Sequence, residues 1–288
     1  LGRVIHLYDI ALSVAACARS GTRADVAWML SPTVSDEALV VTPGGGRIGR
    51  LAGGAFDGLL ADLAARHLST GRIVTHSVTE VESVVCHLPV GSAVQFLLVP
   101  AEQFPSQTWA LLLDHTPVVI VTSCSGDVVT DIQVNAAEAD SGRTNVTVEQ
   151  EVITTVLVPT PRMVIAGMGP IAEALAAQAE LLKWKVVVEA RPDAVAGLAA
   201  TLSPVDAVVV MGHDVETSSG CLMAALSSAA GYVGALGSLA MQQSRADWLA
   251  YRDVVDVSRV RGPAGLDIGA VTPEEIAVAI CAEAIALI

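Results

Sequence analysis

Two glycines, Gly167 and Gly169, followed by Ala172 in the run G-M-G-P-I-A, have the spacing that points most directly to chemistry. The first glycine after an apolar run permits a tight turn, and the second lets the backbone approach a pyrophosphate. A small third residue allows the next helix to pack closely on the strand. The free N–H groups at that helix start, where Pro170 stands, would face the phosphates. Glu189 closes the next apolar run, near the spacing of a carboxylate that bonds a ribose hydroxyl. Such an acid favours NAD over NADP, but Arg191, two positions on, could receive a 2′-phosphate. The competing reading is a Rossmann-like scaffold whose pocket is empty or repurposed, because fold does not fix function.

Further candidates stand where apolar runs end. His213 and Asp214 follow the run at 206–211, and Gly237 and Ser238 follow the run at 232–236. His213, with a pKa near neutrality, suits acid–base or phosphate-side work, or simply pairs with Asp214 in a loop. Asp267, between Gly265 and Gly269, either holds a ligand hydroxyl or fixes its own loop. In the first half, Gly53-Gly54 precedes a helical pattern. The pair could hold an anion through backbone N–H groups, or serve only tight packing of helix on sheet.

The elements that must position these residues divide the chain. From residue 162 on, strands expected at 163–166, 186–188, 206–211 and 232–236 alternate with helices at 193–202, 218–230 and 238–252. An extended piece is expected at 254–260 and a last helix at 272–287. That helix opens on Thr272-Pro273-Glu274-Glu275, a capping threonine with proline at the first position and glutamate at the third. Such alternation implies a parallel sheet with ligands at the carboxyl ends of its strands. In the opening helix, Ile171, Leu175, Leu181 and Leu182 recur at helical intervals.

Before residue 159 the pattern reads as helix at 4–19, strands at 25–29, 38–42 and 47–51, and a helix through Phe56, Leu59, Leu60, Leu63 and His67. Strands follow at 73–78, 81–88 and 93–99. A helix at 105–114 is expected to bury Trp109 and Leu111, Leu112 and Leu113. More strand is expected at 117–122, 127–134 and 146–158, with a polar interruption at 135–145. Pro159-Thr160-Pro161 marks the break. The expectation is an α/β protein in two domains: a smaller N-terminal α/β domain at 1–158 and a Rossmann-like parallel-sheet domain at 159–288.

Of 288 residues, 52% are hydrophobic and 16% charged, which excludes a disordered chain. A formal charge of −14, with the basic residues scattered, argues against a nucleic-acid surface. No apolar run approaches the length of a membrane helix, and no signal peptide is legible. Five cysteines without a C-x-x-C pair suit a reduced, cytoplasmic setting rather than a structural zinc site. A two-fold homodimer is the general expectation for a soluble protein.

Five segments, GMGPIAEALA, VEARPD, GHDVETS, AGYVGALGS and GPAGLDIGAVTPEEIA, occur in one order from Gly167 to Ala277. Together they resemble the xanthine dehydrogenase accessory (XdhC/CoxI) family. The resemblance implies a maturation factor that binds, sulfurates or delivers the molybdenum cofactor (molybdopterin) to a molybdenum hydroxylase, working with a cysteine desulfurase. Glu189 and Arg191 stand at its D-x-R position, and His213 and Asp214 in its T-H-D loop. Tyr232, Gly234, Gly237 and Ser238 match its Y-x-G-x-x-G-S, and Gly265, Asp267 and Gly269 its G-L-D-I-G-A. Pro170 replaces the histidine of G-A-G-H. Ala52-Gly53-Gly54-Ala55 replaces S-G-G-C, so the motif cysteine is missing and direct sulfur transfer is not expected. Near Cys86 the family's G-C-G-G has lost its glycines. An NAD(P)-dependent oxidoreductase and a degenerate nucleotide-binding regulatory or scaffold protein are the alternatives.

Overall fold

The computed structural model describes residues 7–32, 37–66, 69–137 and 144–288. The chain divides into two compact units, Leu1–Pro159 and Thr160–Ile288, of which the N-terminal one is the longer, not the smaller.

The N-terminal unit runs α1 (Leu7–Ser20), β1 (Asp25–Ser31), β2 (Ala38–Val41), β3 (Arg47–Gly49), a 3-10 turn at Ala52–Gly54, α2 (Asp57–Ala64), β4 (Arg72–Ser77), α3 (Glu80–Cys86) and β5 (Ala93–Pro100). It continues through α4 (Thr108–Leu113), β6 (Val118–Ser125), β7 (Val128–Ala136), β8 (Asn145–Glu149) and β9 (Val152–Leu157). The nine strands among its described residues form one antiparallel sheet in the order β3-β2-β1-β5-β4-β7-β6-β9-β8. Successive side chains of a strand point to opposite faces, so β1 sends Val26, Trp28 and Leu30 into one core and Ala27 and Met29 into another. The first core is covered by α1 and α4, the second by α2.

Several expectations are corrected here. Of residues 81–88, expected as strand, those up to Cys86 belong to α3 (Glu80–Cys86). Thr79 caps it by accepting from Glu82 N–H, while the Glu82 carboxylate accepts from Thr79 N–H, and this reciprocal pair outweighs the β-propensity of the valines. Residues 146–158 are two strands, β8 and β9, paired through a turn after Glu149. In α4, Leu112 is buried but Leu113 is exposed, because consecutive residues of a helix are turned about 100° from one another and three in a row cannot all face inward. His67, residues 138–143 of the polar interruption and the first residues of the opening helix lie outside the described residues.

The C-terminal unit alternates strictly: β10 (Arg162–Ala166), α5 (Pro170–Leu181), β11 (Lys185–Glu189), α6 (Pro192–Ala199), β12 (Ala207–Val210), α7 (Val215–Leu226), β13 (Tyr232–Ala235), α8 (Leu239–Ala250), β14 (Val260–Arg261) and α9 (Pro273–Leu287). All five strands are parallel, in the order β11-β10-β12-β13-β14. Met163 and Ile165 of β10 face a core shared with α5 and α9, while Val164 and Ala166 face one shared with α6, α7 and α8. Thr272 and Glu275 form the capping box of α9. In α5 the buried residues are Ala172, Leu175 and Ala179, and Leu181 is 74% exposed. Of the stretch at 254–260 only Val260 enters the sheet, while Val254 and Val257 pack on the core from the preceding segment. Among the described residues no helix is long and apolar enough to cross a membrane.

At the amino ends of these strands, buried Asp206 gathers the sheet. It accepts from the backbone N–H, Nε and Nη2 of Arg162 and from Ser203, joining the start of β10 to the start of β12.

Candidate functional site

The helix α5 that follows β10 lies on one face of the parallel sheet, and α7, which follows the neighbouring β12, lies on the other. Loops leaving two adjacent strands in opposite directions leave a crevice between them, the switch point where open α/β sheets bind ligands. Here it is a cleft of about 480 Å³ lined by Met168–Ile171, Met211–His213, Leu236–Ser238 and Met241.

Gly167 makes the first turn with φ 149°, and a Cβ there would lie 2.0 Å from the Met211 carbonyl oxygen, so no other residue fits. Gly169, at φ 112°, is the N-cap of α5 and gives it no side-chain cap. With Pro170 at the first helical position, the N–H groups of Ile171 and Ala172 have no side-chain cap, and Ile171 lines the cleft. The other two helix starts are closed by their own side chains. Asp214 Oδ1 accepts from Thr217 N–H at 2.7 Å, and the Thr217 hydrogen bonds hold the Asp214 carboxyl below its ordinary range. Ser238 Oγ accepts from Met241 N–H at 3.3 Å. His213 lines the cleft as its one titratable side chain.

The remaining sequence candidates stand apart from this cleft. Glu189, at the end of edge strand β11, accepts through Oε1 from Ala190 N–H, Arg191 N–H and Arg191 Nε, and through Oε2 from Arg191 Nη2. Those bonds, led by the one from the Arg191 side chain, pull its pKa down to about 2. Arg191 itself is largely exposed. Asp267 is exposed on its loop, and its side chain forms no hydrogen bond among the described residues. The Gly265 end of that loop is instead tied down by Glu283, whose Oε2 accepts from Gly265 N–H at 2.7 Å and from the Tyr232 hydroxyl at 2.6 Å. Burial and the Glu283 carboxylate push the Tyr232 hydroxyl far above its ordinary pKa.

Gly53 and Gly54 belong to the N-terminal unit, where their turn already has anions. Ala52 N–H donates to Glu37 Oε2 at 2.8 Å, and Leu51 N–H to Asp57 Oδ1 at 3.0 Å. Gly54 N–H donates to the Leu51 carbonyl, and Gly53 packs against Val85.

One residue escaped the sequence reading. Arg245, on α8, is 1% exposed. Its Nη2 donates to the Gly212 carbonyl at 2.9 Å, Nη1 to the Leu236 carbonyl at 2.6 Å, and Nε to Ser218 Oγ at 3.0 Å. It therefore fastens the loops after β12 and β13 to each other, behind the wall of the cleft. Seven positions after the capping Ser238, it lies two turns along the same helix face, which is the only trace it leaves in the sequence.

Five free cysteines are present, and none lines the cleft. Cys221 and Cys281 are buried, and burial pushes their thiols up, Cys281 to about 11. No cluster of metal-ligating side chains occurs among the described residues.

Three comparisons bear on this geometry. No curated protein sequence matches the chain. A crystal structure described as a xanthine dehydrogenase from Bacillus halodurans is similar, with a TM-score of 0.52 and 20% sequence identity, covering 96% of this chain and 95% of that one. At that identity the likeness is one of fold. Residues 163–284 match the family model described as the XdhC Rossmann domain. That match takes in all three loops of the cleft and most of the C-terminal unit.

Proposed function

We propose that this protein is an accessory factor for a xanthine dehydrogenase-type molybdenum hydroxylase, and that its C-terminal cleft holds the pterin cofactor of that enzyme or a nucleotide-linked form of it. The observation that carries the reading is the cleft at the β10/β12 switch point inside an XdhC Rossmann domain. Met168, Ile171, Met211, Leu236 and Met241 give apolar walls suited to a flat heteroaromatic ring. The uncapped start of α5 suits a phosphate.

The residues present fit the organic end of such a cofactor. Ile171 and Ala172 N–H would hold its phosphate, and the methionines would flank its ring system. No thiol lines the cleft, so this chain offers the molybdenum no sulfur ligand there. When bound, the group supplies the redox chemistry of the client enzyme, and the part of this chain is to hold and hand over. A cysteine desulfurase as second partner, a homodimer and a cytoplasmic setting belong to the same proposal. With Ala55 at the place of the motif cysteine, sulfur would pass from the desulfurase to the bound cofactor without a carrier thiol in that motif.

Reading the cleft as an NAD(P) site rests on the same glycine turn and on Glu189. That carboxylate is engaged by two backbone N–H groups and Arg191, and His213 is the only proton-transfer group in the cleft. A degenerate nucleotide-binding scaffold would bind nucleotide without any effect on a client.

The test is titration of the purified protein with molybdopterin, NAD, NADP and mononucleotides, alongside client hydroxylase activity in cells lacking this chain. Saturable molybdopterin binding and loss of client activity are expected. No molybdopterin binding together with full client activity would overturn the proposal.

A further inference from the structure

A guanidinium as deeply buried as that of Arg245 is ordinarily set against a carboxylate, because a charge taken out of water needs compensation. All the partners of Arg245 are neutral: Ser218 Oγ, the Gly212 and Leu236 carbonyls, and Gln242 Oε1 at 3.4 Å. Among the described residues no Asp or Glu pairs with it, and burial lowers its pKa with no acid to raise it back. Among the described residues, nothing else joins so complete a burial to so bare a charge.

The two carbonyl bonds fix more than the arginine. In a trans peptide the C=O and N–H point in opposite directions. With the Gly212 C=O turned to Arg245, the His213 N–H points away from it. With the Leu236 C=O turned to Arg245, the Gly237 N–H does the same. Both residues line the cleft, and neither N–H donates to a protein acceptor among the described residues. The charge also lies close behind them, since a Cβ on Gly237 would sit 3.6 Å from Nη1. A positive charge at the carbonyl end of a peptide polarises it and makes its N–H a stronger donor.

We infer that the His213 and Gly237 N–H groups, aimed and polarised by Arg245, form a second anion-holding position in the cleft, which takes a phosphate or diphosphate group of the ligand. That group is the counter-charge Arg245 lacks. The position lies at the ends of β12 and β13, separate from the glycine turn after β10, and Arg245 acts there as a positioning residue. The inference rests on the proposal that the cleft holds a phosphate-bearing pterin or nucleotide. It also answers a difficulty set by composition. A chain of formal charge −14 repels anions at long range, so an anionic ligand needs a local field of opposite sign.

The test uses calorimetric titration of the full chain with matched probes: 6-hydroxymethylpterin diphosphate and its unphosphorylated parent, AMP and adenosine, and inorganic pyrophosphate. Native protein is expected to bind the phosphorylated member of at least one pair about tenfold or more tightly than its parent. His213→Pro removes one N–H, and His213→Ala keeps it while also removing the imidazole, so the side-chain effect cancels between them. His213→Pro is expected to bind the phosphorylated probe about tenfold more weakly than His213→Ala, with no difference for the parent. Arg245→Lys, which keeps the charge but cannot hold both carbonyls, is expected to show a loss of the same sense. Should the arginine variant fail to fold, the pair at exposed residue 213 decides. Equal affinity of the two His213 variants for every phosphorylated probe overturns the inference. Pyrophosphate binding that senses residue 213, without pterin or adenine binding, supports the inference and removes the proposed function. Pterin binding indifferent to both residues does the reverse, and the pterin and adenine arms tell which compound carries the phosphate.

Discussion

At Ala52–Gly54 a glycine pair leads into α2, at Gly167–Gly169 another leads into α5, and the two turns dispose of their amide hydrogens in opposite ways. In the first, Glu37 and Asp57 reach in and accept from Ala52 and Leu51 N–H, so the protein supplies its own anions. In the second, Gly169 caps α5 without a side chain, Pro170 withholds one N–H, and the turn lines a cleft of about 480 Å³ with, among the described residues, no carboxylate reaching in. A glycine-rich turn before a helix is thus a place where an anion can go. Whether one is needed from outside depends on carboxylates elsewhere in the chain.

The comparison breaks most sharply at Gly167. Gly167→Ala is expected to cost at least about 3 kcal/mol and to abolish the folded C-terminal unit, because its Cβ meets the Met211 carbonyl at 2.0 Å. Chemical denaturation followed by circular dichroism would measure it. Asp57→Ala should cost about 1–3 kcal/mol by stranding Leu51 N–H, while leaving nucleotide or pterin affinity unchanged. A change in affinity there would erase the distinction between the turns. Gly53→Ala should cost about 1–2 kcal/mol, from left-handed backbone alone, since its Cβ would meet Val85 at an ordinary 3.4 Å.

Two smaller effects sharpen the same contrast. Glu189, with its pKa held near 2 by Arg191 and two backbone N–H groups, has a folded pKa below its ordinary 4.5. Its contribution to stability is therefore present above that ordinary value and lost as pH falls towards 2. Asp57 runs the other way: burial raises its pKa, so its ionisation erodes stability as pH rises through the shifted value. Carboxyl NMR titration should find the two acids displaced in opposite directions, and Arg191→Ala should return Glu189 towards 4.5. Thiol labelling should reach Cys17 and Cys86 in the folded protein before Cys124, Cys221 and Cys281, which are buried.

The parallel half of the fold was legible because its signals are local. Gly167, Gly169 and the Thr272–Glu275 capping box each announce their element within a few residues. The N-terminal half was read less well where two local rules compete. Val81, Val84 and Val85 favour a strand, yet Thr79 and Glu82 were present as a helix-start pair, and the pair prevailed. Within the site, the sequence marked the loops at His213 and Gly237 but not what aims them. Arg245 looks like any charged residue on a helix until the packing of β12 and β13 brings Gly212 and Leu236 to it. Likewise Asp214 and Ser238 stood at the right strand ends, though in the structure their side chains cap helices.

The pairing of β1 with β5 bears on how the protein is made. Asp25 stands opposite Pro100, with β2, β3, α2, β4 and α3 in between. A newly synthesised chain therefore carries β1, buried on both faces in the finished sheet, with one ladder edge open until Pro100 has left the ribosome. Long-range pairing of this kind is slow, and an open apolar edge is the surface on which unfinished chains associate. In the C-terminal unit β10 finds β11 after a single helix. During synthesis the N-terminal half, the first to emerge, is the half that has longest to wait for its centre.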